Sequence, residues 1–214
     1  MTVIAIDGPA GAGKSTVARA VSERLGLARL DTGAMYRAVT LLVLRSGAGL
    51  TDTESAVRLA SGMRLELGED RVLLDGEDVT AAIRLPEVDT AVSAVSAIPA
   101  VRAELVRRQR EWVREHGGAV VEGRDIGSVV FPDADVKVYL DAHPEERARR
   151  RQGQLGLAEG DGGGTASTAA QLARRDSLDA GRAVSPLVVP PGALVVDSTH
   201  LSVEDVVEQV LKCL

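Results

Sequence analysis

Gly8-Pro9-Ala10-Gly11-Ala12-Gly13-Lys14-Ser15-Thr16 matches the phosphate-binding pattern G-x-x-x-x-G-K-[S/T], with Gly8, Gly13, Lys14 and Ser15 at its fixed places. The flanks fit the pattern. Thr2-Val3-Ile4-Ala5-Ile6 is an apolar, β-branched run of the kind found in a parallel strand buried on both faces. After the loop, Val17, Val21 and Leu25 recur every fourth residue and Gly26 stands where a helix-terminating glycine belongs. Strand, glycine loop and helix predict an open α/β sheet with a triphosphate site at its edge.

The residue types follow from the chemistry. Glycines let successive backbone N–H groups turn inward around phosphate oxygens, and the start of the following helix adds its positive end to the same anion. Lys14 can reach the outer phosphates, and the Ser15 hydroxyl can ligate Mg²⁺. Residues Gly8 to Thr16 are therefore the expected ATP-binding segment.

At 214 residues the chain is long enough for one medium α/β domain with small insertions. Aromatics are only 2% of the residues, so the core must be built from Val, Leu, Ile and Ala. A net charge of −6 argues against a general nucleic-acid or membrane surface. Of the 25 basic residues only Lys14, Lys137 and Lys212 are lysines, which directs attention to arginine, the side chain that grips phosphate bidentately. A single cysteine, Cys213, excludes a disulfide framework and fits a reducing compartment. The first apolar run is too short for a signal peptide, and Ala38–Leu44 is too short to span a bilayer. The expectation is a cytoplasmic monomer.

Along the chain, Leu27–Leu30 reads as a second strand, followed by a helix capped by Thr32 that carries Tyr36 and Arg37. The strand end places Asp31, Thr32 and Arg37 on the edge where such sheets bind ligands; Arg37 reads equally as a solvated helix residue. Thr51 and Glu54 form a capping-box pattern for the next helix. Residues 63–84 then switch to a period of two, with Asp75-Gly76 as a hairpin turn, and predict a small antiparallel insertion. Pro86 opens a helix with Val88, Ala91, Val92 and Val95 on one face and Ser93 beside that stripe, where a buried small residue is the plain explanation. Pro99 opens a longer one in which Glu104–Arg108 and Arg107–Glu111 pair at helical spacing. Arg102 has no acidic residue four positions away. Ala119–Glu122 is a third strand ending in an acid, and Glu122 is the candidate for the magnesium side of the site. Asp135–Leu140 and Ala193–Val196 are the last strands, and Ser202 caps a final helix.

Between those strands, Pro144 begins a helix with Glu145–Arg149 and Glu146–Arg150 as supportive pairs. Arg147 and Arg151 form a like-charged pair that is unfavourable unless an anion sits between them. The glycine-rich run Gly153–Gly164 follows. Thr168 and Gln171 then offer a capping box for a helix carrying Arg174, Arg175 and Asp176, with Asp179 and Arg182 beyond. Two arginine-bearing helices joined by a glycine hinge predict a lid over phosphates.

With these residues in view, the chain resembles the bacterial cytidylate kinases of the nucleoside monophosphate kinase family. The carriers are Ile6–Thr16, Leu30–Arg37, Glu122–Gly127, Val130–Ala134 and Arg175-Asp176 through Asp179, Arg182 and Ser185–Leu187. The phosphate loop alone is widely shared; the other blocks, in this order, are more specific. The resemblance implies a P-loop NTPase-type open sheet of five parallel strands flanked by helices. It also implies a core of residues 1–33, 118–145 and 190–214, a monophosphate-binding subdomain over 34–117 with the antiparallel insert at 63–84, and an arginine-rich lid over 146–182. Arg37, Arg124 and Arg182 would hold the CMP phosphate, with Thr32 and Tyr36 also at the CMP site. Ser93, Arg102 and Asp125 would read the cytosine, and Asp179 the ribose. Arg147, Arg151 and Arg175 would act with Lys14 on the transferring phosphoryl group. Gly160–Gly164 departs from the family pattern in being richer in glycine.

The implied reaction is transfer of the γ-phosphoryl group from ATP, with Mg²⁺, to CMP or dCMP in pyrimidine nucleotide metabolism. The alternatives are a P-loop kinase for another small acceptor (UMP, AMP or a shikimate-like compound), a GTPase-type switch and an ATP-driven nucleic-acid motor. The switch is disfavoured because the chain has no asparagine with which to build an Asn-Lys-x-Asp guanine motif. The motor is disfavoured by net acidity and the lack of a basic stripe outside the lid.

Overall fold

The computed structural model describes residues 1–68, 70–154, 164–182 and 184–214. Most of the Gly153–Gly164 run therefore lies outside the described residues. The strands form a five-stranded parallel sheet in the order β2 (Ala28–Asp31), β6 (Gly118–Gly123), β1 (Thr2–Asp7), β7 (Val136–Asp141), β8 (Leu194–Asp197), and a separate three-stranded antiparallel sheet of β3 (Leu65–Leu67), β4 (Val72–Leu74) and β5 (Glu77–Asp78). Strand β1 is central because its sequence tolerates burial on both faces: Ile4 pairs with Val120 on one side and Val136 on the other. The chain divides into two compact units, residues 1–29 with 116–214, and residues 30–115.

In the first unit, α1 (Lys14–Leu25) and α8 (Val203–Leu211) cover the sheet. Val17, Ala18 and Val21 of α1 and Val206, Val207 and Val210 of α8 share one apolar cluster with Ile4, Ile6, Val138 and Leu140. Each fully buried Ile or Leu here contributes roughly 1.5–3 kcal/mol. Register carries the core to the site: Asp7, the last residue of β1, stands opposite Gly123 on β6 and Tyr139 on β7, so the glycine loop leaves the sheet beside residues 123–125. This unit also holds α6 (Pro144–Gln154) and α7 (Gly164–Ala180), which pack on one another.

The second unit is helical around the small sheet: α2 (Thr32–Ser46), α3 (Thr53–Gly62), α4 (Pro86–Ser96) and α5 (Pro99–Glu115). The expected apolar stripe of α4 is buried. Asp75 and Gly76 both take positive φ, 52° and 87°, as the tight turn requires.

Four local expectations are corrected. Asp31, not Thr32, caps α2, accepting the Ala34 N–H at 3.0 Å. Asp52, not Thr51, caps α3 through the Ser55 N–H at 3.1 Å. In both cases a neighbouring carboxylate is the better acceptor for orphan helix amides. Helix α7 starts at Gly164, so Thr168 lies inside it and its hydroxyl turns back to the Gly164 carbonyl. On α6, Glu146 receives both Arg149 and Arg150, where the spacing had suggested Glu145 for Arg149.

Candidate active site

The loop from Gly8 to Gly13 has backbone that few side chains could adopt. Gly8, Gly11 and Gly13 have φ of 148°, 77° and 95°. A Cβ at Gly8 would stand 2.0 Å from the Leu140 carbonyl oxygen, and one at Gly11 would stand 2.7 Å from that of Arg147. Gly13 caps α1 in the left-handed conformation, so the helix begins at Lys14. Pro9, Ala10 and Ala12 complete the turn, Ser15 and Thr16 are exposed on the first turn of α1, and Lys14 Nζ donates to the Pro9 carbonyl at 2.7 Å. Burial, and then the neighbouring Arg124, holds the Lys14 ammonium well below the ordinary lysine value. A bound polyphosphate would oppose that lowering.

Glu122 is buried at the end of β6, accepting the Ser15 hydroxyl at 2.6 Å through Oε2 and the Arg29 guanidinium at 3.3 Å through Oε1. A hydroxyl and a carboxylate at that separation are the hard oxygen donors that Mg²⁺ takes. Among the described residues no cluster of three or more His, Cys, Asp or Glu could hold a metal alone.

Asp7 fixes the loop's other neighbour. Its two carboxylate oxygens accept the N–H groups of Ile126 and Gly127, each at 2.7 Å. Burial pushes the Asp7 carboxyl up to about 6, with the two amide bonds opposing the rise and Asp125 adding to it. The segment held this way is Gly123-Arg124-Asp125 and the single π-turn Ile126–Val130, an irregularity common at functional positions.

The arginines of this unit gather on two acids. Asp176 of α7 accepts the Ala10 N–H at 3.0 Å and Arg124 at 2.9 Å through Oδ1, and Arg147 of α6 through Oδ2. Arg147 also donates to the Ala10 carbonyl at 3.2 Å, and Arg124 to that of Gly8 at 3.3 Å. Asp179, 1% exposed, meets Arg182 and, at 3.3 Å, Arg124. Arg150 braces the loop from behind, donating to the carbonyls of Ala12 at 3.2 Å and Ser198 at 2.7 Å. Arg151 donates to Gln154, Arg175 precedes Asp176 on α7 and is half-buried, and Asp125 is buried.

The remaining candidates belong to the second unit. Thr32 and Tyr36 are buried on α2, and Arg37 pairs with Asp89 of α4 at 3.4 Å. Ser93 is buried on α4. Arg102 of α5 is 2% exposed; it donates to the Ser96 carbonyl at 3.2 Å and lies over the Tyr36 ring, 5.3 Å from its centroid.

A family model described as cytidylate kinase matches residues 4–214, from the first strand through the last helix. The chain belongs to the cytidylate kinase family. It is 52% identical to a cytidylate kinase of Symbiobacterium thermophilum, over 98% of this chain and 94% of that protein. It is 51% identical to one from Rhodococcus opacus, over 98% and 93%. A solved structure of a gluconokinase from Sinorhizobium meliloti covers 99% of this chain and 90% of its own at a TM-score of 0.51 and 15% identity, a likeness of fold alone.

In this kinase, local sequence signals give no site role to Asp7, Arg29, Asp89 or Asp176, and give Arg150 only its helix pair with Glu146. Asp176 had a visible signal: it stands directly after Arg175 in a segment rich in arginine. The bonds of Asp7 and Arg150 depend on main-chain N–H and carbonyl groups, which carry no residue type to read.

Proposed function

We propose that the protein transfers the γ-phosphoryl group of ATP to CMP or dCMP, giving ADP and CDP or dCDP. The family match over residues 4–214 carries the reading, because it includes the phosphate loop and every block assigned to the acceptor. Lys14 and the amides of Gly8–Thr16 would hold the ATP phosphates. Arg147, Arg151 and Arg175 would neutralise the transferring group, and Arg37, Arg124 and Arg182 the CMP phosphate. Ser93, Arg102 and Asp125 would read the cytosine and Asp179 the ribose, with Thr32 and Tyr36 also at the CMP site. Ser15, with Glu122 directly or through water, would hold Mg²⁺, which supplies charge neutralisation on the phosphate oxygens when bound.

The attacking oxygen of a nucleoside monophosphate is anionic near neutral pH, so in-line displacement at the γ-phosphorus needs no protein base. The residues contribute position, charge neutralisation and exclusion of water. Among the described residues no helix is long and apolar enough to cross a membrane, and we read the protein as a cytoplasmic monomer. The test is ADP formation from ATP with CMP, dCMP, UMP, AMP and shikimate, beside GDP and phosphate formation from GTP without acceptor. CMP or dCMP should be the best acceptor; preference for AMP or shikimate, or acceptor-independent GTP turnover, would overturn the reading.

A further inference from the structure

Asp176 lies at the phosphate loop where an anionic ligand would be expected. Three donors converge on its carboxylate: the N–H of Ala10 within the loop, the Arg124 guanidinium and the Arg147 guanidinium. That is the donor set of a phosphoryl site, one loop amide and two arginines. Arg124 and Arg147 are also the two arginines assigned to different phosphates, the acceptor's and the transferring one.

We infer that Asp176 is a built-in stand-in for a phosphoryl group, seated on the loop when no nucleotide is bound and displaced when the ATP phosphates arrive. The inference rests on reading Gly8–Thr16 as the ATP site. Burial disfavours the ionised carboxyl, but Arg124, the Ala10 amide and Arg147 outweigh it and keep the Asp176 pKa below the ordinary value, so the stand-in carries its charge at neutral pH. Seating it screens the repulsion between Arg124 and Arg147. It also taxes phosphate binding, because ligand affinity scales with the fraction of protein whose anion position is open. Displacement releases Arg124 and Arg147 from the same acid together, Arg124 keeping its contact with Asp179, and so couples arrival of the donor to readiness for the acceptor.

The experiment is calorimetric titration of the full chain with inorganic tripolyphosphate, which has neither base nor ribose, in the absence of CMP. Asp176→Asn keeps the shape and an acceptor for the Ala10 amide but removes the charge. Asp141→Asn is the control, since Asp141 is also a carboxylate beside Arg147, at 4.0 Å, without touching the loop amide. A stand-in occupied about nine-tenths of the time predicts about tenfold tighter binding for Asp176→Asn, and a change below about threefold for Asp141→Asn. Asp176→Ser, read in the same titration, serves if the asparagine variant fails to fold. Equal gains in the two asparagine variants, or weaker binding without the Asp176 charge, overturn the inference even where the acceptor panel gives CMP kinase rates. No tripolyphosphate binding by any form overturns the ATP-site reading itself.

Discussion

The Ser15 hydroxyl donates to Glu122 at 2.6 Å, joining the first turn of α1 to the end of β6 at the edge of the sheet. Glu122 also holds Arg29, so removing the hydroxyl leaves this buried acid compensated. Ser15→Ala should therefore fold normally yet need more Mg²⁺ for half-maximal rate, with activity or metal affinity lower by roughly 10- to 100-fold. A Mg²⁺ titration of ADP formation, beside a thermal melt, reads both; an unchanged Mg²⁺ curve removes Ser15 from the metal site.

Lys14 and Asp179 should separate in kinetics. Lys14→Ala removes a cation from the phosphate loop and should lower kcat by about 10²- to 10³-fold. Asp179→Asn should act mainly through KM for CMP, because Asp179 positions Arg182 and Arg124 and is assigned to the ribose. Initial rates with each substrate varied in turn test the split. Equal effects of both variants on ATP affinity would argue against it.

The sheet and the covering helices α1 and α8 of the first unit were legible in the sequence because their signals are local. The β-branched run of β1, the four-residue spacing of Val17 and Val21, and the Ser202 cap that starts α8 are each contained in a few residues. The helix starts at Asp31 and Asp52 were misplaced by one residue because two good caps stand side by side and only geometry chooses. The site divides in the same way. Ser15 and Glu122 could be named separately as residue types at strand and loop ends, whereas the seat of Asp176 joins residues 166 positions apart and depends on how α7 lies against the loop.

Asp7 makes stability depend on pH in a stated direction. Its folded pKa is raised to about 6 from an ordinary value of 3.8, so the folded state binds the proton more tightly than the unfolded state. The stabilisation is fully present below about pH 4 and is lost as pH rises through 6, by at most about 1.4 kcal/mol per unit. Asp7→Asn cannot titrate and offers one acceptor to two amide donors. The stability gap between wild type and variant should thus be widest near pH 4.5 and narrow towards pH 7.5. Urea unfolding of both proteins across that range measures it, and a constant gap would count against the shift.

Arg102 is held by the Ser96 carbonyl and the Tyr36 ring, which fix its guanidinium plane. Lysine keeps the charge and loses the planar fork. If Arg102 reads cytosine, Arg102→Lys should raise KM for CMP by about 10- to 100-fold, the loss expected for a hydrogen bond to a charged group, and flatten the preference for CMP over UMP. ATP affinity should stay unchanged. Acceptor panels on wild type and variant decide it; a uniform fall in kcat with both pyrimidines would assign Arg102 to packing.

Gly8 and Gly11 should fail differently when given a methyl group, although both lie in the same loop with positive φ. At Gly8 the new Cβ meets the Leu140 carbonyl, main chain of the interior strand β7, which cannot yield without disturbing its pairing with β8 at Val196. Overpacking of about 1–3 kcal/mol then adds to the backbone strain, about 1–2 kcal/mol for an L-residue forced to such φ. Gly8→Ala should accordingly lower the melting temperature severely. At Gly11 the Cβ meets the Arg147 carbonyl on α6, an outer helix that can shift at smaller cost. Gly11→Ala should fold with a modest loss of stability while displacing Arg147 from Asp176 and the Ala10 carbonyl, so the phosphoryl-transfer rate falls more than the melting temperature. Circular-dichroism melts and kcat on the two variants separate the cases; similar melts for both would mean that β7 yields as easily as α6.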